Sequence, residues 1–367
     1  MFKLKHLHCV PLLVWLAGCA TSPNRNSAPP TEWDLNGTAA PTALQPALLQ
    51  PIPMQPSPFP APPQIGPPPL ADESIAEKWI TLERWTRSSG LASPVRLAGN
   101  TPGNFSTPTP GGELVLHMGS RLATLGGMEF QLGFAPRLTN GQMFVHVLDA
   151  RKNLQPLVES RAEPFRPGRV IVIDPGHGGG NTGTKSAFNQ HLEKEYTLDW
   201  ALRLRPLLES NGWRVILTRT NDVEVPLGDR VTLAEQRHAD LFVSLHFNAS
   251  TIGQEQSGAE TYCLTPRGMP SNLTREFEDD PSKAYPNNAF DWQNLQVAAR
   301  LHRALLQANG HKDRGLRHAR FLGVLRGQNR PAVLLEAGYL SNPTEAQQIA
   351  TAEFRQRLAE AVAGALQ

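Results

Sequence analysis

Two uninterrupted apolar runs, Val170-Ile171-Val172-Ile173 and Leu241-Phe242-Val243, constrain this chain more than any other feature. Successive side chains of a strand face opposite sides of the sheet, so a strand with one wet face alternates apolar and polar residues. A run that is apolar at every position needs cover on both faces, which a sheet flanked by helices provides. The surrounding sequence supplies that cover. Strand-like runs at 169–174, 213–218, 240–246, 259–264, 321–325 and 332–336 alternate with helical stretches. Residues 193–210 place Trp200, Leu204, Leu207 and Leu208 on one helical face and stop at Asn211-Gly212. Residues 292–308 do the same with Leu295, Ala299, His302 and Leu306, stopping at Asn309-Gly310. Pro206 is expected to kink the first of these helices. The expectation for residues 168–366 is an α/β fold, a mostly parallel or mixed twisted sheet covered by helices on both faces.

A smaller α+β accessory domain is expected over residues 72–162. Ile75, Trp79, Leu82 and Trp85 recur at helical spacing within 72–89. Short strand-like runs follow at 114–117, 128–134 and 143–147, punctuated by Gly119-Ser120, Gly126-Gly127 and Asn140-Gly141. Residues 139–145 resemble the small copper-amine-oxidase-like accessory domain of some exported cell-wall enzymes, a likeness that implies neither copper nor an oxidase.

Proline is unevenly spread: residues 20–70 hold 15 of the 33 prolines and only three charged residues, Arg25, Glu32 and Asp34. That composition cannot bury enough apolar surface to offset its ordering entropy, so residues 19–71 are expected to form an extended tether. At ~3.1 Å per residue in polyproline II, it would reach about 150 Å. Before it, Lys3 and Lys5 precede the apolar run Val10-Pro11-Leu12-Leu13-Val14-Trp15-Leu16, as in a secretory signal over residues 1–18. Leu16-Ala17-Gly18-Cys19 resembles a bacterial lipobox, which implies lipidation of Cys19. In lipoproteins, Ala20 rather than Asp after the cysteine implies the outer rather than the inner membrane. The expectation is an exported, periplasmic, membrane-anchored protein; the alternative is an ordinary signal cleaved after a small residue. The remaining cysteine outside this leader, Cys263, reads as a buried strand residue. A formal net charge of +2 argues against nucleic-acid binding through bulk charge.

In open α/β sheets, ligands gather beyond the carboxyl ends of strands. Three strand candidates end in groups suited to a metal: Asp174-Pro175-Gly176-His177-Gly178-Gly179, His246-Phe247-Asn248-Ala249 and Glu336-Ala337-Gly338-Tyr339. Glu193 opens a helix near the same edge. Hydrolytic zinc takes three protein ligands and keeps one position open. His177, Glu193 and His246 can supply that set, leaving Glu336 free to act on water. Asp174 is expected to orient a ligand imidazole.

The motifs around these positions resemble the zinc-dependent N-acetylmuramoyl-L-alanine amidases of the type 3 amidase family. They run in family order from Val172-Ile173-Asp174-Pro175-Gly176-His177-Gly178-Gly179 and Leu192-Glu193-Lys194-Glu195 to Val215-Ile216-Leu217-Thr218-Arg219 and Arg230. Then come Ala239–Ala249, Gly258-Ala259-Glu260-Thr261-Tyr262, Arg314-Gly315-Leu316 and Pro331-Ala332-Val333-Leu334-Leu335-Glu336-Ala337-Gly338-Tyr339. The resemblance implies Zn2+ on His177, Glu193 and His246, with Glu336 as catalytic base. It implies peptidoglycan as substrate, cut between N-acetylmuramic acid and L-alanine, and leaves any protein activator undefined. A zinc peptidase cutting another stem amide and a non-catalytic wall-binding protein are the alternatives.

Asn248 and Arg314 are expected near the ligands or along the substrate groove, and His191 near Glu193. The basic run Lys312, Arg314, Arg317, His318 and Arg320 is read as groove-lining or solvated. Glu235 stands where relatives usually have Asn, and Asn181 where they often have Asp; neither is expected to touch the ligands. Some relatives carry a regulatory helix at the position of residues 266–291. Pro270, Pro281, Pro286 and Asn287-Asn288 argue for a solvated groove loop there instead.

Overall fold

The computed structural model describes residues 78–98, 103–159, 168–274 and 279–367. The residues read as a signal segment and a tether, Cys19 among them, lie outside these described residues. The N-terminal part holds β1 (Trp79–Thr81), α1 (Leu82–Ser88), β2 (Val95–Arg96), β3 (Asn104–Thr109), β4 (Gly112–His117), β5 (Leu122–Leu125), β6 (Met128–Gln131), β7 (Arg137–Thr139) and β8 (Gln142–His146). It closes with α2 (Val147–Asp149), a π-helical segment over Ala150–Leu154 and α3 (Gln155–Val158). The C-terminal part begins with β9 (Val170–Pro175), α4 (Glu193–Ser210), β10 (Arg214–Leu217), α5 (Leu227–Gln236), β11 (Leu241–Asn248) and β12 (Ala259–Cys263). A 3-10 turn over Pro286–Phe290 leads to α6 (Asp291–Asn309), β13 (Asp313–His318), α7 (Gly323–Arg326), β14 (Ala332–Tyr339), α8 (Pro343–Ile349) and α9 (Ala352–Ala365).

Strands β10, β9, β11 and β14 lie side by side and parallel; β12 joins β14 antiparallel, and β13 follows parallel to β12. The sheet is therefore mixed, and helices cover both faces. Ile171 and Ile173 pack in one apolar cluster with Trp200 and Leu204 of α4, Leu301 of α6 and Leu358 of α9. Val172, between them in sequence, packs in a second cluster with Ala234 of α5 and Leu325 of α7. β11 splits in the same way, with Leu241, Val243 and Leu245 on the first face and Phe242 on the second. This is the physical reason the runs are apolar throughout: every position but the partly buried Val170 is buried, on one side or the other, at roughly 1.5–3 kcal/mol per large side chain. Every residue of β11 and β14 is buried. α4 continues through Pro206 to Ser210.

Three local expectations are corrected. Residues 321–325 are not a strand; Gly323–Arg326 forms the short helix α7, with Leu322, Val324 and Leu325 buried. A short run apolar on all sides does not separate strand from helix by periodicity. The basic run contains a strand, β13, which its charges concealed. Within 72–89, the described residues form β1 followed by α1. Thr81 caps the helix, its Oγ1 accepting from Arg84 N at 3.1 Å.

The N-terminal strands β6-β5-β4-β3-β2 form an antiparallel meander. Gly126-Gly127 and Asn140-Gly141, all four at positive φ, make the tight hairpins the sequence announced. The meander continues the C-terminal sheet: β6 pairs with β13, Phe130 opposite Leu316, giving one sheet of eleven strands. Glu129 N donates to Asp313 Oδ2 at 2.7 Å, beside that pairing. The described residues of 266–285 form a loop without α-helix, docked through residues 269–273 and exposed at Arg267, Gly268 and 281–284. Arg121 Nη2 donates to Ser271 O at 3.0 Å and Asn272 Nδ2 to Leu132 O at 3.0 Å. Met269 is buried, and Arg320 holds the carbonyls of Pro266 and Met269.

Candidate metal centre and catalytic site

The sheet register sets the site. His246 on β11 lies opposite Glu336 on β14, and Glu260 on β12 lies opposite the same Glu336. Three adjacent strands therefore present His246, Glu336 and Glu260 in one row. His177 follows the end of β9, and Glu193 is the first residue of α4. Ligand atoms of His177, Glu193 and His246 all lie within 4.8 Å of one another. Glu193 Oε1 is 3.0 Å from His177 Nε2 and 3.0 Å from His246 Nδ1. Phe247 N and Thr184 N also donate to the Glu193 carboxylate, at 3.2 and 3.0 Å.

The loop Pro175–His177 is clamped by two buried arginines. Arg219 Nε donates to Pro175 O at 3.0 Å, and its Nη2 to Gly176 O and Lys194 O, both at 2.8 Å. Arg230 donates to Pro175 O at 3.0 Å and to His177 O at 2.8 Å. Asp174 is expected from the sequence to orient an imidazole; the structure corrects this. Its carboxylate takes hydrogen bonds from Arg230, Thr218 Oγ1 (2.6 Å) and Ser244 Oγ (2.8 Å). Burial opposes its charge, but Arg230 and these donors hold it below the usual carboxylate range. Asp174 thus anchors the arginine that carries the His177 backbone.

The residue that does orient an imidazole is Asn181, against the expectation that it stays clear of the ligands. Its Oδ1 lies 2.8 Å from His177 Nδ1, which leaves Nε2 facing Glu193. His177 itself has φ +63, held in the left-handed region by the clamped loop. Gly176 leaves room for His246: a Cβ there would stand 2.2 Å from His246 Cε1.

Glu336 is buried and neither carboxylate oxygen has a hydrogen-bond partner. Burial, then the charges of Glu193 and Glu260, push its carboxyl well above the usual range. Glu260, in contrast, is fully satisfied. Arg314 Nε donates to it at 2.6 Å, Asn248 Nδ2 at 2.9 Å, and the Tyr262 and Tyr339 hydroxyls at 2.7 and 3.1 Å. Asn248 and Arg314 therefore serve Glu260 rather than a ligand or an open groove; Arg314 Nη1 is taken by Gln256. Neither Glu260 nor Asn181 had been assigned a role from sequence. Their signals were present, Glu260 in Gly-Ala-Glu-Thr-Tyr and Asn181 four residues after His177, but partners could not be read from them. His191 does not reach the ligands; it is exposed and pairs with Glu195. Glu235 pairs with Arg330, away from the cluster.

The donors fit a resident cation. Burial works against charge on His177 and Glu193, yet their mutual attraction raises the imidazole's pKa and lowers the carboxyl's. Burial lowers the pKa of His246. His177 Nε2 is buried 3.0 Å from Glu193 Oε1 without hydrogen-bond geometry, and both oxygens of Glu336 are buried without a hydrogen-bond partner. Buried polar atoms are normally paired. Two imidazoles and a carboxylate converging on one point satisfy nitrogen- and oxygen-seeking zinc.

A family model described as N-acetylmuramoyl-L-alanine amidase (Amidase_3) matches residues 171–367. The chain is 32% identical over 240 residues to N-acetylmuramoyl-L-alanine amidase AmiC of Escherichia coli O6:H1, covering 58% of this chain and 56% of that protein. It is 31% identical over 216 residues to AmiA of Escherichia coli K12, covering 53% of this chain and 74% of that protein. The catalytic domain of CwlV from Bacillus (Paenibacillus) polymyxa is 32% identical, with 54% of this chain and 96% of that chain covered and a TM-score of 0.44. The matched stretch thus spans little more than half the length of the AmiC relative. It holds every residue of the cluster and Glu336, and the chain belongs to the N-acetylmuramoyl-L-alanine amidase family.

Proposed function

We propose that the chain is a zinc-dependent N-acetylmuramoyl-L-alanine amidase acting on peptidoglycan. The observation that carries this reading is the pairing of a buried His177–Glu193–His246 cluster with an unpartnered Glu336 one strand away. His177, Glu193 and His246 would hold the metal, which supplies Lewis acidity towards a carbonyl oxygen and a water. Glu336 takes the proton from that water at a carboxylate oxygen. The water oxygen bonds to the lactyl carbonyl carbon. Glu336 then gives the proton to the L-alanine nitrogen as the C–N bond breaks. The products are a lactyl carboxylate on the sugar and a free amine on the stem peptide. Asn181 keeps the His177 ring oriented, and the Arg219–Arg230 clamp keeps its backbone in place.

Digestion of purified sacculi with and without a chelator, followed by mass spectrometry, tests the reading. Zinc-dependent release of intact stem peptides with free N-terminal L-alanine supports it. Shorter peptides would indicate a peptidase, and no release a non-catalytic wall protein.

We further propose export to the periplasm and a lipid anchor on Cys19, favouring the outer membrane, with the proline-rich segment as tether. The support is the lipobox-like Leu16-Ala17-Gly18-Cys19 with Ala20 behind it. Among the described residues no helix is long and apolar enough to cross a membrane. Radioactive fatty acid should label the protein and not its Cys19→Ala variant; label surviving that change would refute the anchor.

A further inference from the structure

A pocket of about 370 Å³ opens in the N-terminal part, between β1 and the connection from β6 to β7. Its lining carries one charged side chain, Arg137, two aromatic ones, Trp79 and Phe134, and otherwise only glycine, alanine and proline. The Arg137 guanidinium stands 3.9 Å from the centre of the Trp79 ring. Phe134 stacks on His146 at 3.7 Å and meets Trp79 edge-on at 6.5 Å. Among the described residues no carboxylate pairs with Arg137. Lys78 adds a second positive charge nearby; after burial, it and Arg137 hold the His146 pKa down to about 4. His146 is thus neutral at pH 7, and the pocket's charge comes from Arg137, with Lys78 outside the lining.

The pocket is built rather than incidental. The buried Asp149 carboxylate accepts from Gly133 N at 2.7 Å and Phe134 N at 2.8 Å, fixing the backbone that presents Phe134. Asn153 Nδ2 holds the same carboxylate at 2.7 Å. Met269, from the loop after β12, fills the space against Gly133, where a Cβ would stand 2.5 Å from its methyl carbon. Trp79 is fixed by β-pairing to His146. Two preformed aromatic rings beside a guanidinium that no carboxylate among the described residues neutralises suit a ring-shaped anion: the ring surfaces left open take an apolar sugar face, and the planar donor fork takes a carboxylate.

We propose that this pocket binds N-acetylmuramic acid bearing a free lactyl carboxylate, the sugar exposed once its stem peptide has been removed. The inference rests on the amidase reading, because that reaction generates this group. The pyranose and its acetamido methyl lie against Trp79 and Phe134, and the carboxylate pairs with Arg137. The N-terminal part then holds the enzyme on strands it has begun to strip. Trp79 and Arg137 lie on β1 and β7, which form a three-stranded sheet with β8 beside the eleven-stranded sheet that reaches the metal ligands through β6–β13 pairing.

The test titrates the full chain calorimetrically with N-acetylglucosaminyl-N-acetylmuramic acid, and with chitobiose as the counterpart lacking the carboxylate. Chitobiose should bind about tenfold or more weakly, the usual worth of a hydrogen bond to a charged group. Arg137→Gln should lower affinity for the acidic disaccharide about tenfold and leave chitobiose unchanged. Phe134→Ala should weaken both. Thermal melts of each variant check folding, and cleavage of a soluble single muropeptide should stay at the wild-type rate. Equal binding of the two sugars, absence of binding, or acidic-disaccharide binding that survives Arg137→Gln but disappears with a chelator would overturn the proposal. The muropeptide assay judges the amidase reading separately: its failure with intact sugar binding would sink that reading alone.

Discussion

Gly176→Ala gives the sharpest test of how the metal centre is built. The added Cβ would lie 2.2 Å from His246 Cε1, 2.5 Å from Nε2 and 2.7 Å from Nδ1. Ordinary contact begins at 3.4 Å, so the ring or the loop must yield by about 1 Å. Neither yields easily. The ring belongs to a buried strand, and the loop carbonyls on both sides of Gly176 are held by Arg219 and Arg230. Ligand positions in a metal site tolerate about 0.2 Å. A ligand displaced by several times that amount should weaken zinc binding at least about 100-fold, more than loss of an outer-shell partner usually does. Overpacking should also cost about 1–3 kcal/mol of stability. Competition with a fluorescent chelator measures the affinity, and urea unfolding measures the stability. An alanine variant that binds zinc with wild-type affinity would refute the geometry of the His246 position.

Glu336→Gln keeps shape and removes the base, so zinc binding should persist while release of stem peptides falls about 10²–10⁴-fold; full activity on sacculi would overturn the assignment. Asn181→Ala should lower zinc affinity about 10–100-fold by freeing the His177 ring, read by the same chelator competition; unchanged affinity would show that the clamped backbone alone suffices. His318 is buried beside Arg121 and Arg320, and burial, then these charges, lower its pKa to about 4. The unfolded chain binds this proton near pH 6.5 and the folded chain near 4, so stability rises with pH between those values. As pH falls from 6.5 to 4, His318 should cost about 3 kcal/mol. Urea unfolding of wild type and His318→Gln at pH 7 and 5 checks this: the wild type should lose about 2 kcal/mol more than the variant, and equal losses would exclude His318 as the source.

Local sequence patterns carried the architecture of the C-terminal part. Runs apolar at every position demand two covered faces wherever they fold, and the structure supplies α4, α6 and α9 on one and α5 and α7 on the other. The residues now forming the cluster were legible for a related reason. Strand ends followed by glycine and histidine place donors at one sheet edge in any such fold, and the order of motifs singled out His177, Glu193, His246 and Glu336. The same reasoning failed at residues 321–325, where a short apolar run reads as either strand or helix, and at β13, whose arginines looked solvated.

Long-range pairing settled the rest. Asp174 and Asn181 are both short polar residues near His177, and nothing local says which one reaches the ring. Arg230 and Ser244, distant in sequence, take the first carboxylate, while Oδ1 of the second residue meets the imidazole. Arg314 and Arg317 read as surface charges until β12 and β13 bring them to Glu260, whose buried charge requires them. Spacing and turn signals over residues 72–162 suggested a small accessory domain ahead of residues 168–366. One pairing between Phe130 and Leu316, with Arg121 and Asn272 beside it, joins the strands β2–β6 to the C-terminal sheet, while β1, β7 and β8 form a sheet of their own. Periodicity and motif are properties of neighbours along the chain and survive in the sequence. Hydrogen-bond partners and sheet register join residues far apart along it, and only the folded structure selects among them.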